Sequence, residues 1–404
     1  MKILYVNKFF YLNGGSEKVF FQERDYFLEK GYSVVDFSMQ DYRNFGSPFS
    51  DFFVNNIDYS NTKGIFNKLK NGLSFIHSSE AVKKLEDLIL REKPDIAHLH
   101  NIYHQLTPSI IHLLKKYDIK VVLTLHDYKL VCPTYSMLDS TNQICEKCIN
   151  GNFGNVFFNN CTGSKFQGLL MAAEAYWHKW KRSYELVDKF IAPSEFMAEM
   201  VGKRISKEKI KVIPNGIDSS EISPSTEDNG YVLFFGRLSK EKGVKTLLKA
   251  HELIKDKVDL KVVGTGPLLE ELSINYKNAE FLGYKTGSDL NSLIAESSFV
   301  VVPSECYENC SMAVLESMAF GKAIIASKTG GIPEQVEDSK NGFLFGIGNV
   351  EELAFKMAQL ISDKKLREIF GEKSREKLEK DYSLTSHFEA ISLLYKDLIS
   401  EETV

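Results

Sequence analysis

One alternation runs along nearly the whole chain and limits what it can fold into. Short β-branched runs are each followed by a longer amphipathic segment. KILYV (2–6), SVVDFS (33–38), DIAHLH (95–100), KVVLTLH (120–126) and KFIAPS (189–194) form a first set of strand candidates. YVLFFG (231–236), LKVVG (260–264), AEFLG (279–283), SFVVVPS (298–304) and KAIIAS (322–327) form a second. Helical periodicity fills the intervals, as in SEKVFFQERDYFLEKG (16–31) and GVKTLLKAHELIKD (243–256). Strands that alternate with helices form parallel sheets covered on both faces, because a parallel return needs a crossover. The fold class is therefore α/β, and 404 residues are enough for two doubly wound units.

The turn-rich stretch IPNGIDSSEISPSTEDNG (213–230) lacks periodicity and separates the two sets. The expected division is an N-terminal domain at 1–212, a linker at 213–229 and a C-terminal domain at 230–385. The helical segment 386–404 is expected to pack back on the first domain. A net charge of −4 gives no reason to expect nucleic acid, which wants a basic face. No apolar run approaches the roughly 18–20 residues of a membrane-spanning helix. The N-terminal MKILYVNKFF reads as a strand and not as a leader, so a cytoplasmic location is expected. There, six cysteines are thiols or metal ligands more often than disulfides.

Doubly wound domains bind ligands beyond the carboxyl ends of their strands, so the residues at those ends carry the functional reading. Glu308 follows the strand candidate 298–304, and a helix is expected to begin near Asn309 to Ser311 with Glu316 about two turns on. A helix N-terminus seats a phosphate, and a carboxylate on that helix can accept both hydroxyls of a ribose. Arg237 and Lys242 follow the strand candidate 231–236, a forked cation and a mobile one suited to a diphosphate. No Asp-x-Asp-like metal site is evident, and these two cations can neutralise a leaving diphosphate themselves. Gly14 and Gly15 close a turn whose missing Cβ atoms let backbone N–H groups approach a phosphate. The GTG at 264–266 lacks the third glycine of a dinucleotide fingerprint, so Gly266 is read as a turn near the nucleobase and not as a NAD site.

In the N-terminal half, His126 ends a strand candidate and Asp127 and Tyr128 follow it. His98, His100 and Asn101 end another. Alternation puts His98 and His100 on one face, where they can contact an acceptor or, if a third ligand joined them, a metal. Cys132, Cys145, Cys148 and Cys161 are spaced around a CEKC knuckle inside an Asn/Gly-rich insertion (132–161). A closed structural zinc site, disulfides and reduced thiols all fit that spacing. The segment 166–189 carries Tyr176, Trp180 and Tyr184 on one helical face, flanked by Lys179, Lys181 and Arg182. Core packing and a membrane-surface or acceptor face both suit it, and the basic segment 63–93 is open to the same two readings.

The run PSECYENCSMAVLESMAFGKAIIASKTGGIPEQVEDSKNGFLF (303–345) resembles glycosyltransferase family 4, the retaining GT-B enzymes. So do IAPSEF (191–196), IPNGID (213–218), FFGRLSKEKGVKTLLKA (234–250), VVGTGPLLEEL (262–272) and FLGY (281–284), in the family's order. The N-terminal half is similar through its glycine turn, HLHN and TLHDY. The resemblance implies two Rossmann-like domains facing across a cleft. It implies a nucleoside diphosphate sugar as co-substrate, UDP being commonest, with no catalytic cofactor. Glu316 would hold the ribose and Glu308 the sugar hydroxyls. Asn309, Cys310 and Ser311 would offer N–H groups, and His126 would lie near the transferred sugar. Asp127 and Glu308 are candidates for stabilising an oxocarbenium-like centre. Relatives often carry Pro-Phe-Gly-like residues where this chain has Glu308-Asn309-Cys310, so the sugar contacts depart from the pattern. The implied setting is surface-polysaccharide or glycoconjugate assembly, with a saccharide or lipid-linked acceptor at the inner membrane face. A sugar-nucleotide epimerase, a phosphorylase and a non-catalytic sugar-nucleotide-binding protein are the alternatives on such a scaffold.

Overall fold

The computed structural model describes residues 1–57 and 72–400. The first sheet contains β1 (Lys2–Val6), β2 (Ser33–Phe37), β3 (Ile96–Leu99), β4 (Lys120–Thr124), β5 (Lys189–Ala192) and β6 (Ile210–Val212), in the order β2-β1-β3-β4-β5-β6. The second contains β7 (Tyr231–Phe235), β8 (Asp259–Val263), β9 (Ala279–Gly283), β10 (Phe299–Val302), β11 (Ile324–Ser327) and β12 (Gly342–Phe345), in the order β12-β11-β10-β7-β8-β9. Every pairing is parallel, as buried β-branched strands joined by helices require. Both sheets reverse direction at an internal switch point, β1/β3 in the first and β10/β7 in the second, which is where such sheets open a crevice.

All ten strand candidates are present. β6 and β12 are additional, and each closes one edge of its sheet with only three or four residues. Each sheet buries both faces. Leu4, Val6, Leu99 and Leu123 pack on one side of the first, and Ile3, Tyr5, Ile96 and Val122 on the other. The segment 213–230 has no regular element but is tied down. Arg375 donates to the carbonyls of Ser219 and Ile222, and Lys322 to that of Glu227.

After the helix Lys364–Asp381 the chain turns back, and the helix Leu384–Ser400 packs Ile391, Leu394, Tyr395 and Leu398 against the first sheet. The two passages between the sheets touch. Ile217 and Ser383 form a parallel bridge, and Leu384 N–H donates to the Ile217 carbonyl at 3.1 Å. A Cβ on Gly216 would lie 2.6 Å from Leu384 Cα, so only glycine lets the strands of this crossing meet.

Two expectations need adjustment. The helix expected over 166–189 is Lys165–Trp180 and ends as Arg182 adopts a left-handed φ of 55°. Tyr184 therefore leaves that helical face and packs against the core of the first sheet. Of the basic segment 63–93, residues 63–71 lie outside the described residues, and the rest includes the helix Ser79–Glu92, whose Leu85, Leu88 and Ile89 are buried in the core. Residues 401–404, the end of the expected terminal helix, also lie outside them. Among the described residues no helix is long and apolar enough to cross a membrane.

Candidate active site

The carboxyl ends of β7, β8 and β10 converge through glycine-dependent backbone contacts. Gly243 sits at φ 65°, and a Cβ there would be 1.8 Å from the Pro303 carbonyl oxygen at the end of β10. This contact brings KEKG against the SECYENC loop, and Lys242 Nζ meets Glu308 Oε1 at 2.6 Å. Ser304 Oγ also donates to that oxygen at 2.6 Å. Burial pushes the Glu308 carboxyl up. The Lys242 ammonium and these two hydrogen bonds outweigh burial and hold it below the usual carboxylate range. The Glu308 attraction raises Lys242 in turn. On the other side of the loop, Gly330 and Gly331 leave room for the Glu308 and Asn309 backbones, and Gly331 N–H donates to the Glu308 carbonyl at 2.7 Å. Gly264 and Gly266 make similar close approaches to the backbone of Gly236 and Leu238, which fixes the turn after β8 beside Arg237. Arg237 itself is exposed, and its guanidinium has no ion pair or hydrogen bond among the described residues.

Ser311 occupies the N-cap position of the helix Met312–Ala319, which carries Glu316, without a side-chain capping bond. Of the three N–H groups expected to face a donor, that of Ser311 instead donates to Gln335 Oε1 at 2.8 Å, and Ser311 is buried. Cys310 is buried too, and its thiol is pushed up to about 12 by burial. Across the cleft, the turn at Gly14 and Gly15 opens the helix Gly15–Glu29, and a Cβ on Gly15 would stand 3.7 Å from Met312 Cγ. Lys18 from that helix reaches Glu316 at 2.9 Å. Asn309 Nδ2 donates to the His126 carbonyl at 2.6 Å, so the two candidate sugar-contacting loops touch.

On the first sheet, burial raises the Asp127 carboxyl to about 6 against the lowering pull of the Lys129 N–H and of the Lys8 and Lys129 ammonium groups. His126 is held down to about 3 by burial and by its neighbour His100, which keeps it neutral. Tyr128 is buried with its hydroxyl unpartnered, near Glu308. Asn101 Nδ2 reaches Ser16 Oγ at 3.0 Å. His98 and His100 are fully enclosed at 0% and 1% exposure, so they lie under the cleft floor and not on the acceptor surface where the strand-end reading put them. A third potential ligand does join them. Glu23, from the helix Gly15–Glu29, completes the only group of three His, Cys, Asp or Glu among the described residues whose ligand atoms all lie within 4.8 Å.

The four insertion cysteines are free and surround one another. Burial raises the Cys148 thiol to about 12, and Cys132, Cys161 and Cys145 add to the rise, yet no three of the four sulfurs fall within 4.8 Å. Tyr307 of the loop after β10 donates to Glu146 of the knuckle at 2.7 Å and packs on Phe196.

Three contributions escaped sequence reading. Glu334 accepts the N–H groups of Glu195 and Phe196 at 2.9 and 2.8 Å, so one unit caps a helix of the other. Gln335 holds Ser311 from both sides. Glu174, fully buried, pairs with Lys129 at 2.6 Å and braces the turn that carries Asp127. Glu334 and Gln335 stand in the GIPEQ stretch, where the glycine pair was the available signal.

Two parallel doubly wound units facing across a cleft, with strand ends of both lining it, define the GT-B architecture. The pattern described as Glycosyltransferase Family 4 matches residues 13–221, and that described as Glycosyl transferases group 1 matches residues 217–377. The chain belongs to glycosyltransferase family 4 and is a glycosyltransferase. It is 28% identical over 333 residues to an uncharacterized glycosyltransferase of Methanocaldococcus jannaschii, covering 81% of this chain and 82% of that one. It is 25% identical over 389 residues to an uncharacterized 42.6 kDa protein in the cps region of Klebsiella pneumoniae, covering 91% and 96%. Its fold matches that of the Anabaena protein HepE, solved in complex with UDP, with a TM-score of 0.68 at 18% identity over 98% of this chain and 100% of that one.

Proposed function

We propose that this enzyme moves a sugar from a UDP-sugar to a hydroxyl acceptor with retention of anomeric configuration, its own cations neutralising the leaving diphosphate. The observation that carries the reading is Arg237, an exposed guanidinium with no partner among the described residues, just past the carboxyl end of β7 and in the same loop as Lys242. A forked cation left free at a switch-point cleft is suited to a dianionic ligand. Glu316 accepts the ribose hydroxyls once Lys18 releases it. Asn309 and Gly266 line the donor, and Gly14 and Gly15 approach the diphosphate from the opposite wall. The HepE–UDP likeness supports the choice of base.

Both hydrogen bonds to Glu308 fall on one oxygen and come from Lys242 and Ser304, which makes it a poor nucleophile. Retention then proceeds on one face of the sugar, with the departing phosphate helping to take the acceptor proton. His126, Asp127 and Glu308 steady the developing positive charge, and Tyr128 and Asn101 border the acceptor. An alternative double displacement would need a carboxylate beneath the anomeric carbon.

The Klebsiella relative supports a role in surface-polysaccharide synthesis. Trp180 is 70% exposed beside Lys181, and Phe166 and Leu169 are exposed on the same helix. That composition supports contact with an anionic membrane face and a lipid-linked acceptor. The donor set of Cys132, Cys145, Cys148 and Cys161 suits a structural zinc that would draw the sulfurs together. The division at 1–212, 213–229 and 230–385 is proposed as the working domain description. Transfer of labelled sugar from UDP-sugars to lipid-linked or free saccharides tests the reading. Epimerised donor or phosphate-dependent cleavage in its place would overturn it.

A further inference from the structure

The enclosed histidines form one connected path. Glu23 is completely buried, and among the described residues its ion-pair partners are histidines alone. His387 Nε2 lies 3.1 Å from Glu23 Oε1, and His387 Nδ1 lies 2.7 Å from the Pro214 carbonyl at the crossing between the sheets. On the other side, His100 Nε2 stands 3.5 Å from Glu23 Oε2, and His100 Nδ1 lies 2.8 Å from His126 Nε2. The path thus runs from the cleft, through His100 and Glu23, to the interdomain crossing.

Hydrogen-bond logic sets the protons. A carbonyl only accepts, so His387 Nδ1 carries a proton for Pro214, and one further proton is shared between Nε2 and Glu23 Oε1. Glu23 Oε2 and His100 Nε2 are both buried without a hydrogen-bond partner, and they face each other. Leaving either unpaired is costly, and shortening their 3.5 Å separation satisfies both. If His100 Nε2 donates to Glu23, its Nδ1 is a lone pair and must accept from His126 Nε2. That leaves His126 Nδ1 as an acceptor. Hydrogen bonds of this kind are often long in the unliganded enzyme and tighten in the complex.

We propose that Glu23 is a positioning residue that fixes the tautomer and orientation of His126 through His100, and that His387 ties this setting to the interdomain crossing at Pro214. The proposal rests on the reading of His126 as a residue of the sugar-transfer cleft. A metal held by Glu23, His98 and His100 is the competing account of the same atoms. It is disfavoured because both ring nitrogens of His98 are already engaged, Nδ1 with Tyr395 Oη at 2.5 Å and Nε2 with Thr124 Oγ1 at 2.7 Å.

The test uses the full-length protein labelled with ¹⁵N at its nine histidines, with and without UDP, and His126→Asn to assign the signal. In the unsubstituted protein His126 should show a single tautomer protonated at Nε2. Glu23→Gln and His387→Gln should give mixed tautomers with cooperative unfolding and UDP affinity unchanged. Where a UDP-sugar is turned over, Glu23→Gln should lower kcat by about 100-fold at unchanged donor KM, as a displaced catalytic group does. Combined with His126→Asn it should add no further loss. A single Nε2–H tautomer persisting in Glu23→Gln, additive losses, or a stoichiometric metal removed by those substitutions would overturn the proposal. Unchanged turnover in His126→Asn would instead sink the reading of His126, while the tautomer measurement still decides the link to Glu23.

Discussion

On the proposed donor side, loops that follow neighbouring strands are brought together by glycines that let their backbones touch. Lys242 reaches Glu308 because Gly243 passes under Pro303, and the Glu308 loop rests on Gly330 and Gly331. On the facing side, the residues beneath the cleft come from four distant places: Glu23, His98 with His100, His126 and His387. The first wall is a backbone construction that leaves its cation Arg237 free for a ligand. The second is a buried side-chain network whose polar groups mostly satisfy one another. A wall that binds a dianion needs unspent donors, and a wall that positions a reacting group needs its partners fixed.

The contrast can be broken at the backbone. Gly243→Ala should destabilise the protein by about 3 kcal/mol or more, since a Cβ would clash with a carbonyl and the left-handed φ disfavours any side chain. Gly14→Ala, whose Cβ would make an ordinary 3.6 Å contact with Glu17, should leave the melting temperature nearly unchanged. Equal melting shifts in the two variants would remove the asymmetry.

Arg237→Ala should cost about 2 kcal/mol of UDP binding, the scale of a charge-assisted hydrogen bond, with the melting temperature preserved. Calorimetry showing undiminished UDP affinity would take Arg237 out of the donor site.

A smaller effect concerns pH. Asp127 is raised to about 6, above its ordinary range, so the folded state takes up this proton before the unfolded state does as pH falls. Its contribution to stability therefore grows as pH drops through about 6 toward 4 and is lost as pH rises back through 6. Chemical denaturation across this window should show that term in the unsubstituted protein and not in Asp127→Asn.

The smallest effect is expected at the contact joining the walls. Lys18 and Glu316 are partly exposed, so Lys18→Ala should change stability by less than about 1 kcal/mol. It should improve UDP affinity slightly if the pair has to open for the ribose, and a clear loss of affinity would make Lys18 a donor ligand instead.

The same contrast explains what could be read from the sequence. The ten principal strands were legible because each is a β-branched run followed by a helix or a turn. β6 and β12 were not, being edge strands of three or four residues. Arg237, Lys242, Glu308 and Glu316 stand at strand ends or on the following helix, where local pattern suffices. Glu23 reads as one polar residue on an amphipathic helix, and its partners at His98, His100 and His387 are 75 to 364 positions away. For the same reason alternation placed His98 and His100 on one face but could not tell that the face was buried. Helical periodicity groups Tyr184 with Trp180 because it does not reveal a left-handed Arg182.

The proposed function has the cleft between the two sheets activate a UDP-sugar held by Glu316 and the cations after β7. Its most direct test is UDP release from a panel of UDP-sugars by the purified enzyme, compared with Glu316→Ala. Slow release is expected with at least one donor, and that release should be lost in Glu316→Ala with the fold intact. Equal release by both proteins, or conversion of the donor without release of UDP, would contradict it.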